Sequence, residues 1–185
     1  FGPNFQQNPY KMNWTNALVT EDITTNGTFM TLQFKVKDDA PAGDYTFTYE
    51  YNPLDIFNFD FEDVVFDFVG GTVTVEGEEQ GGEQPACEHE YDDAFDADCN
   101  KCGATRAVVT LPDAPYVAAG SYAVKAGDTF EVPFLVGNNP GIVSLAFKIG
   151  FNANVFELVG KTNGEFDGDY SFGPNFQQNP YKVNW

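Results

Sequence analysis

The chain has 185 residues, 42% of them hydrophobic and 16% aromatic with 19 Phe, a composition that builds a core and argues against intrinsic disorder. Only 9 Lys and Arg face 28 Asp and Glu, for a net charge of −19. That balance argues against nucleic acid and anionic membrane surfaces as partners, because both are bound through clustered cations, and suits divalent cations or solubility outside the cell. No run is long and apolar enough to span a membrane.

One stretch occurs twice. Phe1–Trp14 (FGPNFQQNPYKMNW) returns as Phe172–Trp185 (FGPNFQQNPYKVNW), with Val183 in place of Met12 as the sole difference. The period from Phe1 to Phe172, 171 residues, exceeds the roughly 20–50 residues of a solenoid unit and fits whole domains in tandem. The chain therefore reads as one window on a longer array. Phe1, Phe5, Tyr10 and Trp14, with their counterparts Phe172, Phe176, Tyr181 and Trp185, are the expected contacts between successive repeats.

In chain order, Trp14 to Glu21 is expected to form a strand and Asn26-Gly27 a tight turn. Met30, Leu32, Phe34 and Val36 alternate with polar residues, the period of a half-buried strand. The turn KDDAPAGD precedes a second alternation through Tyr45, Phe47, Tyr49 and Tyr51, which Asn52-Pro53 breaks. Aromatic and acidic residues then alternate from Ile56, with Phe57, Phe59 and Phe61 on one side; strands are expected over 64–68 and 72–75. Residues 77–86 are a Gly/Glu/Gln linker without apolar period. Beyond residues 87–106, strands are expected at Val108–Leu111, Ser121–Val124, Thr129–Val136, Val143–Phe151 and Phe156–Val159, with a loop from Gly160 to Tyr170.

Short strands between Gly, Pro and Asn turns predict an all-β fold, an antiparallel jelly-roll or Greek-key β-sandwich, with a small zinc-knuckle-like module beside it. Residues 1–76 are expected to be the C-terminal part of one sandwich and 107–185 the N-terminal part of the next. Residues 87–106 form a metal-binding knot between them.

Rejoined in that order, SYAVKAGDTFEVPFLVGNNPGIVSLAFKIGFNANVFELVG (121–160), GTFMTLQFKVKDDAPAGDYTFTYEY (27–51) and GGTVTV (70–75) resemble bacterial cohesin-type domains. The resemblance implies a jelly-roll sandwich in a secreted or surface-attached bacterial protein, and dockerin domains as partners. The Phe/Asp-rich stretch Asp55 to Phe68 departs from the family's pattern.

Cys87-x-His89 and Cys99-x-x-Cys102 supply three thiolates and one imidazole, a closed tetrahedral set for structural zinc that leaves no open position for catalysis. A Cys99–Cys102 or Cys87–Cys99 disulfide with one remaining thiol is the other reading. Asp92, Asp93, Asp96 and Asp98 are a candidate calcium set or a solvated acidic loop. Tyr91 and Phe95 are expected to cover the metal or pack on a sandwich, and Arg106 to pair with a carboxylate. The stretch CEHEYDDAFDADCNKCGATR resembles a small Cys/His repeat of clostridial surface proteins.

Nothing in this pattern marks a catalytic cleft, so the chain reads as a non-enzyme. The expected function is a structural repeat of a large extracellular bacterial array, a self-assembling filament, stalk or adhesin that contacts itself head to tail. The alternative is a cohesin-like module that captures dockerin-bearing or carbohydrate-active partners.

Overall fold

The computed structural model describes residues 9–15, 19–77, 87, 89–166 and 169–172. Its strands, in chain order, are β1 (Tyr10–Thr15), β2 (Gly27–Val36), β3 (Gly43–Thr46), β4 (Thr48–Glu50), β5 (Asp67–Gly70), β6 (Thr72–Glu76), β7 (Tyr116–Ala119), β8 (Tyr122–Lys125), β9 (Thr129–Gly137), β10 (Ser144–Gly150), β11 (Phe156–Asn163) and β12 (Asp169–Phe172). Among the described residues there is no α-helix, and none is long and apolar enough to cross a membrane. The chain is a β-sandwich, as its strand patterns predict.

Alternation sets the two faces. In β2 the buried residues Met30, Leu32, Phe34 and Val36 face inward, and in β10 Leu145, Phe147 and Ile149 do the same. β2 lies in a five-stranded sheet of order β11-β2-β9-β7-β5; β10 lies in a four-stranded sheet of order β12-β1-β10-β4. A three-stranded sheet has the order β3-β6-β8. Phe34 packs against Phe47, Phe130, Phe151 and Phe156 at centroid distances of 5.1–6.4 Å. Phe147 packs against Phe29, Phe68 and Phe134. The many Phe residues are thus one aromatic core shared by the two layers.

Strands from both sides of the Cys/His segment pair with one another within this chain: β2 lies between β9 and β11, and β1 between β10 and β12. In one chain the two segments are at high local concentration, so each is the other's nearest complement. The linker and the Cys/His segment therefore join strands of one fold here.

The sandwich is also not wholly antiparallel. β5 pairs with β7, and β6 with β8, in parallel. Parallel neighbours need a crossover connection. Asp67–Glu76 and Tyr116–Lys125 lie side by side, so the intervening chain must return over about 30 Å, ten residues at about 3.3 Å each. Residues 77–115, Cys/His segment included, make that return. Its last part is held by Asn138, whose side-chain amide donates to the carbonyls of Pro112, Asp113 and Ala114 at 3.2–3.3 Å. These contacts replace the entry strand expected at Val108–Leu111; the first strand after the return begins at Tyr116.

Both parallel pairs change sheets at glycines. β5 passes into β6 at Gly70-Gly71, and β7 into β8 at Gly120-Ser121. The Gly71 amide donates to the Ala119 carbonyl at 2.8 Å, and a Cβ on Gly71 would overlap the backbone of Gly120. Smaller departures lie at strand ends. Among the described residues the first strand is Tyr10–Thr15, while residues 16–18 of the expected strand Trp14–Glu21 lie outside them; the alternation through Tyr45–Tyr51 breaks at Phe47 into β3 and β4, and β12 begins within the expected loop 160–170.

Substituting Gly71→Ala should lower stability by about 1–3 kcal/mol or more, because a rigid backbone and not a flexible side chain occupies the space. Phe34→Ala should cost about 3–5 kcal/mol by opening the centre of the core. Urea denaturation followed by tryptophan fluorescence measures both.

Candidate metal centre

A short hairpin carries two of the four ligands. The Cys99 amide donates to the Ala104 carbonyl and the Gly103 amide to the Cys99 carbonyl, both at 2.8 Å, while Asp98 bridges Thr105. This closes Cys99-Asn100-Lys101-Cys102-Gly103 into a tight loop that turns both thiols to one side. Gly103 sits at φ 70°, in the left-handed region, with nothing near its missing side chain. Conformation, and not lack of space, calls for glycine there. The other pair arrives on an extended segment. The Asn100 amide donates to the Glu90 carbonyl at 2.8 Å, and Lys101 pairs with Glu90 at 3.1 Å, which brings His89 and Cys87 over the hairpin.

The four ligand atoms lie within 4.8 Å of one another, and they form the one such Cys/His/Asp/Glu group among the described residues. Cys87 Sγ is 3.9 Å from Cys99 Sγ, and Cys102 Sγ is 3.4 Å from His89 Nδ1. Zinc–sulfur bonds of about 2.3 Å and zinc–nitrogen bonds of about 2.0–2.1 Å give tetrahedral edges of about 3.8 and 3.5 Å. These two edges are of the length that a tetrahedral ion of zinc's size requires. All three cysteines are unbridged.

The electrostatics favour charge at the centre of the group. Burial opposes ionisation of Cys99, but the Glu90 amide at 3.4 Å, the His89 ring and the amides of Lys101 and Cys102 outweigh it and bring the thiol down to about 5. Cys87, held by Cys102, burial and Cys99, is pushed up to about 12. One thiolate forms readily and makes the next one costly, a repulsion that a bound dication removes.

The acidic residues between the ligand pairs are turned to their own loop. Asp96 accepts from the amides of Asp92 and Asp98, which hold its carboxylate below the usual range. Asp93 accepts from the Phe95 amide, and Asp92 from the Asn100 side chain. These hydrogen bonds order the acidic loop from within. Among the described residues Arg106 forms no ion pair with a carboxylate. Its guanidinium donates to the carbonyls of Asp93 and Asp96 and lies 3.8 Å from the centre of the Tyr91 ring. Tyr91 in turn lies near the His89 ring, at 6.2 Å between centroids.

The module is seated on the sandwich at one contact that the sequence pattern does not announce. The Ala94 carbonyl accepts from the Ser121 amide at 2.6 Å, and a Cβ on Gly120 would overlap Ala94. The corner glycine of β7–β8 is thus the module's landing point. A cleft of about 1000 Å³ lies between Cys87 and His89 on one side and the turns at Asp38–Ala42 and Lys125-Ala126 on the other.

Of the expected inter-repeat residues, Trp14 is fully buried within β1, against Phe166 at 5.7 Å. Tyr10 and Phe172 are strand residues of β1 and β12. Phe1, Phe5, Phe176, Tyr181 and Trp185 lie outside the described residues. In the Asp55–Phe68 excursion Phe57 bridges Ser144 at the edge of β10 and stacks on Phe61 at 5.8 Å, while the turn Asn58–Glu62 displays Phe59 and Phe61, the latter 81% exposed at φ 61°.

The fold is thus a β-sandwich with a Cys/His group docked at one corner. The comparisons agree with that fold. Residues 116–185 match the family model of the cohesin domain, and the match begins at the first residue of β7. A stretch of 69 residues is 33% identical to Cellulose-binding protein A of Clostridium cellulovorans, covering 36% of this chain and 4% of that protein. The chain thus spans a small part of the relative it matches. No solved structure is significantly similar to it. These matches support a cohesin-type domain, and cohesin domains are non-catalytic binding modules of extracellular or cell-surface scaffold proteins.

Replacing Arg106 by Lys keeps the charge and removes the planar fork that holds two carbonyls and the Tyr91 face. Hydrogen exchange at the Cys99 and Arg106 amides should speed up about tenfold or more, from a loss of about 1.5–3 kcal/mol within the module. Exchange in β2 and β9 should not change.

Proposed function

We propose that the chain is a non-catalytic structural unit of a large extracellular bacterial array. In this reading cohesin-like sandwiches alternate with zinc-stapled Cys/His modules along a filament, stalk or adhesin. The observation that carries it is where the repeat falls. The duplicated stretch enters the sandwich through β1, so one period of the chain holds one complete set of sandwich strands and one Cys/His module. In a longer chain, residues 107–185 have two equivalent complements, the segment before them and its counterpart in the following copy. The contact of Ala94 with the Gly120-Ser121 corner turns the return connection into a fixed spacer. A head-to-tail contact between identical units that does not close a ring propagates as a filament.

Zinc is the ion this reading assigns to Cys87, His89, Cys99 and Cys102. The two ligand edges at 3.9 and 3.4 Å support it, as does a segment too short to build a core of its own. Purified protein should carry one zinc per chain by metal analysis, and Cys99→Ser should lose it while the sandwich keeps its thermal transition. A disulfide in metal-free protein would contradict the assignment.

A second reading has its own observation. The cohesin match, together with Phe59 and Phe61 displayed beside exposed Leu54 and Val65, supports capture of a protein partner of dockerin type through the Asp55–Val65 excursion. Electron microscopy of multi-repeat material separates the two. Regular fibres with one density per repeat support the structural array. Flexible beads, with a dockerin bound at least tenfold more weakly by Phe59→Ala/Phe61→Ala, support the binding module.

A further inference from the structure

β1 is an inserted strand with two owners in the sequence. It lies between β10 and β12, with Met12 opposite Phe147 on one side and Phe172 on the other. Met12 and Trp14 are fully buried, and Trp14 closes the end of the core against Phe166. This slot is therefore specific for an alternating strand with an apolar residue and an indole two positions apart. The chain carries that strand a second time as Tyr181–Trp185, with Val183 for Met12.

The second copy follows β12 directly. β12 ends at Phe172, and residues 173–182 separate it from Val183, the counterpart of Met12. The intervening sequence holds Pro174, Asn175 and Asn179-Pro180, residue types suited to a turn, which would let the second copy reach β12 as a local strand. Loop-closure entropy favours this local strand over one that returns from the far end of the chain. Burial favours the first copy, because Met12 fills more of the core than a valine does. The two preferences oppose each other.

We propose that the slot between β10 and β12 is a strand-exchange site. Residues 10–15 and 181–185 are alternative occupants, and the copy displaced from its own chain is a donor strand for the same slot in a second copy of this chain. Slot and donor then travel on every molecule, so chains join through main-chain ladder bonds plus one buried indole, a strand-addition mode of recognition. The inference stands on the duplicated sequence and the sheet register, independent of zinc and of any dockerin.

Trp14 and Trp185 are the two tryptophans of the chain, one per copy, so fluorescence reads the slot directly. In the full chain carrying Trp14→Ala, Trp185 should enter the slot. Its emission should shift to the blue and resist acrylamide, compared with a Trp14→Phe control in which the first copy keeps an aromatic anchor. The double variant Trp14→Ala/Trp185→Ala should lose far more thermal stability than the two single variants together. Light scattering should show wild-type chains associating with rising concentration, and Trp185→Ala chains doing so less. A Trp14→Ala chain that does not fold, or one whose Trp185 stays open to acrylamide, overturns the shared slot. Wild-type chains that stay monomeric at every concentration overturn exchange between molecules.

Discussion

The ladder between β2 and β9 is the constraint on which the rest of the molecule depends. It joins the two long strands from opposite sides of the Cys/His segment, and sets Leu32 opposite Val132 and Phe34 opposite Phe130. Register matters here because a slip of one residue would turn Met30, Leu32, Phe34 and Val36 out of the core. With these strands fixed, β7 pairs with β9, β5 with β7, and the chain must cross over between Glu76 and Tyr116. The return connection and its docking corner follow from that geometry.

The Cys/His module solves a local problem of the same connection. A return path of this length over the surface of the sandwich has little apolar material with which to hold a shape. Hydrogen bonds donated by Arg106, and backbone amides donating to the Asp93 and Asp96 carboxylates, order the loop, and the four soft or borderline ligands converge beside it. The thiol chemistry then prefers a cation at the centre, where the lowered Cys99 and raised Cys87 otherwise oppose each other. Glycine serves the arrangement twice for different reasons. Gly103 supplies a left-handed turn, whereas Gly120 yields space to Ala94.

Much of this was legible in the sequence where one residue's surroundings are set by its neighbours. The alternations through Phe34 and Phe147 marked β2 and β10 because burial on a pleated strand has a period of two. The spacing of Cys87, His89, Cys99 and Cys102 marked their convergence. Partner choice was not legible, since the stretch Phe1–Trp14 recurs as Phe172–Trp185 and pattern alone does not say which copy pairs with β10. The parallel pairs escaped notice for a related reason: Val73 and Val124 look the same whichever way their neighbour runs. Arg106 was expected to seek carboxylates, yet the nearby ones were already bound to amides of their own loop, which left carbonyls and the Tyr91 ring as its partners.

The measurement closest to the central claim is an isotope-filtered NMR experiment on a mixture of labelled and unlabelled full chains at low concentration. It reads cross-strand contacts between β2 and β9, such as Leu32 with Val132 and Phe34 with Phe130. A sandwich completed within one chain predicts these contacts inside labelled molecules and none between labelled and unlabelled ones. Contacts found solely between chains would show that the two halves belong to different sandwiches and would contradict the account.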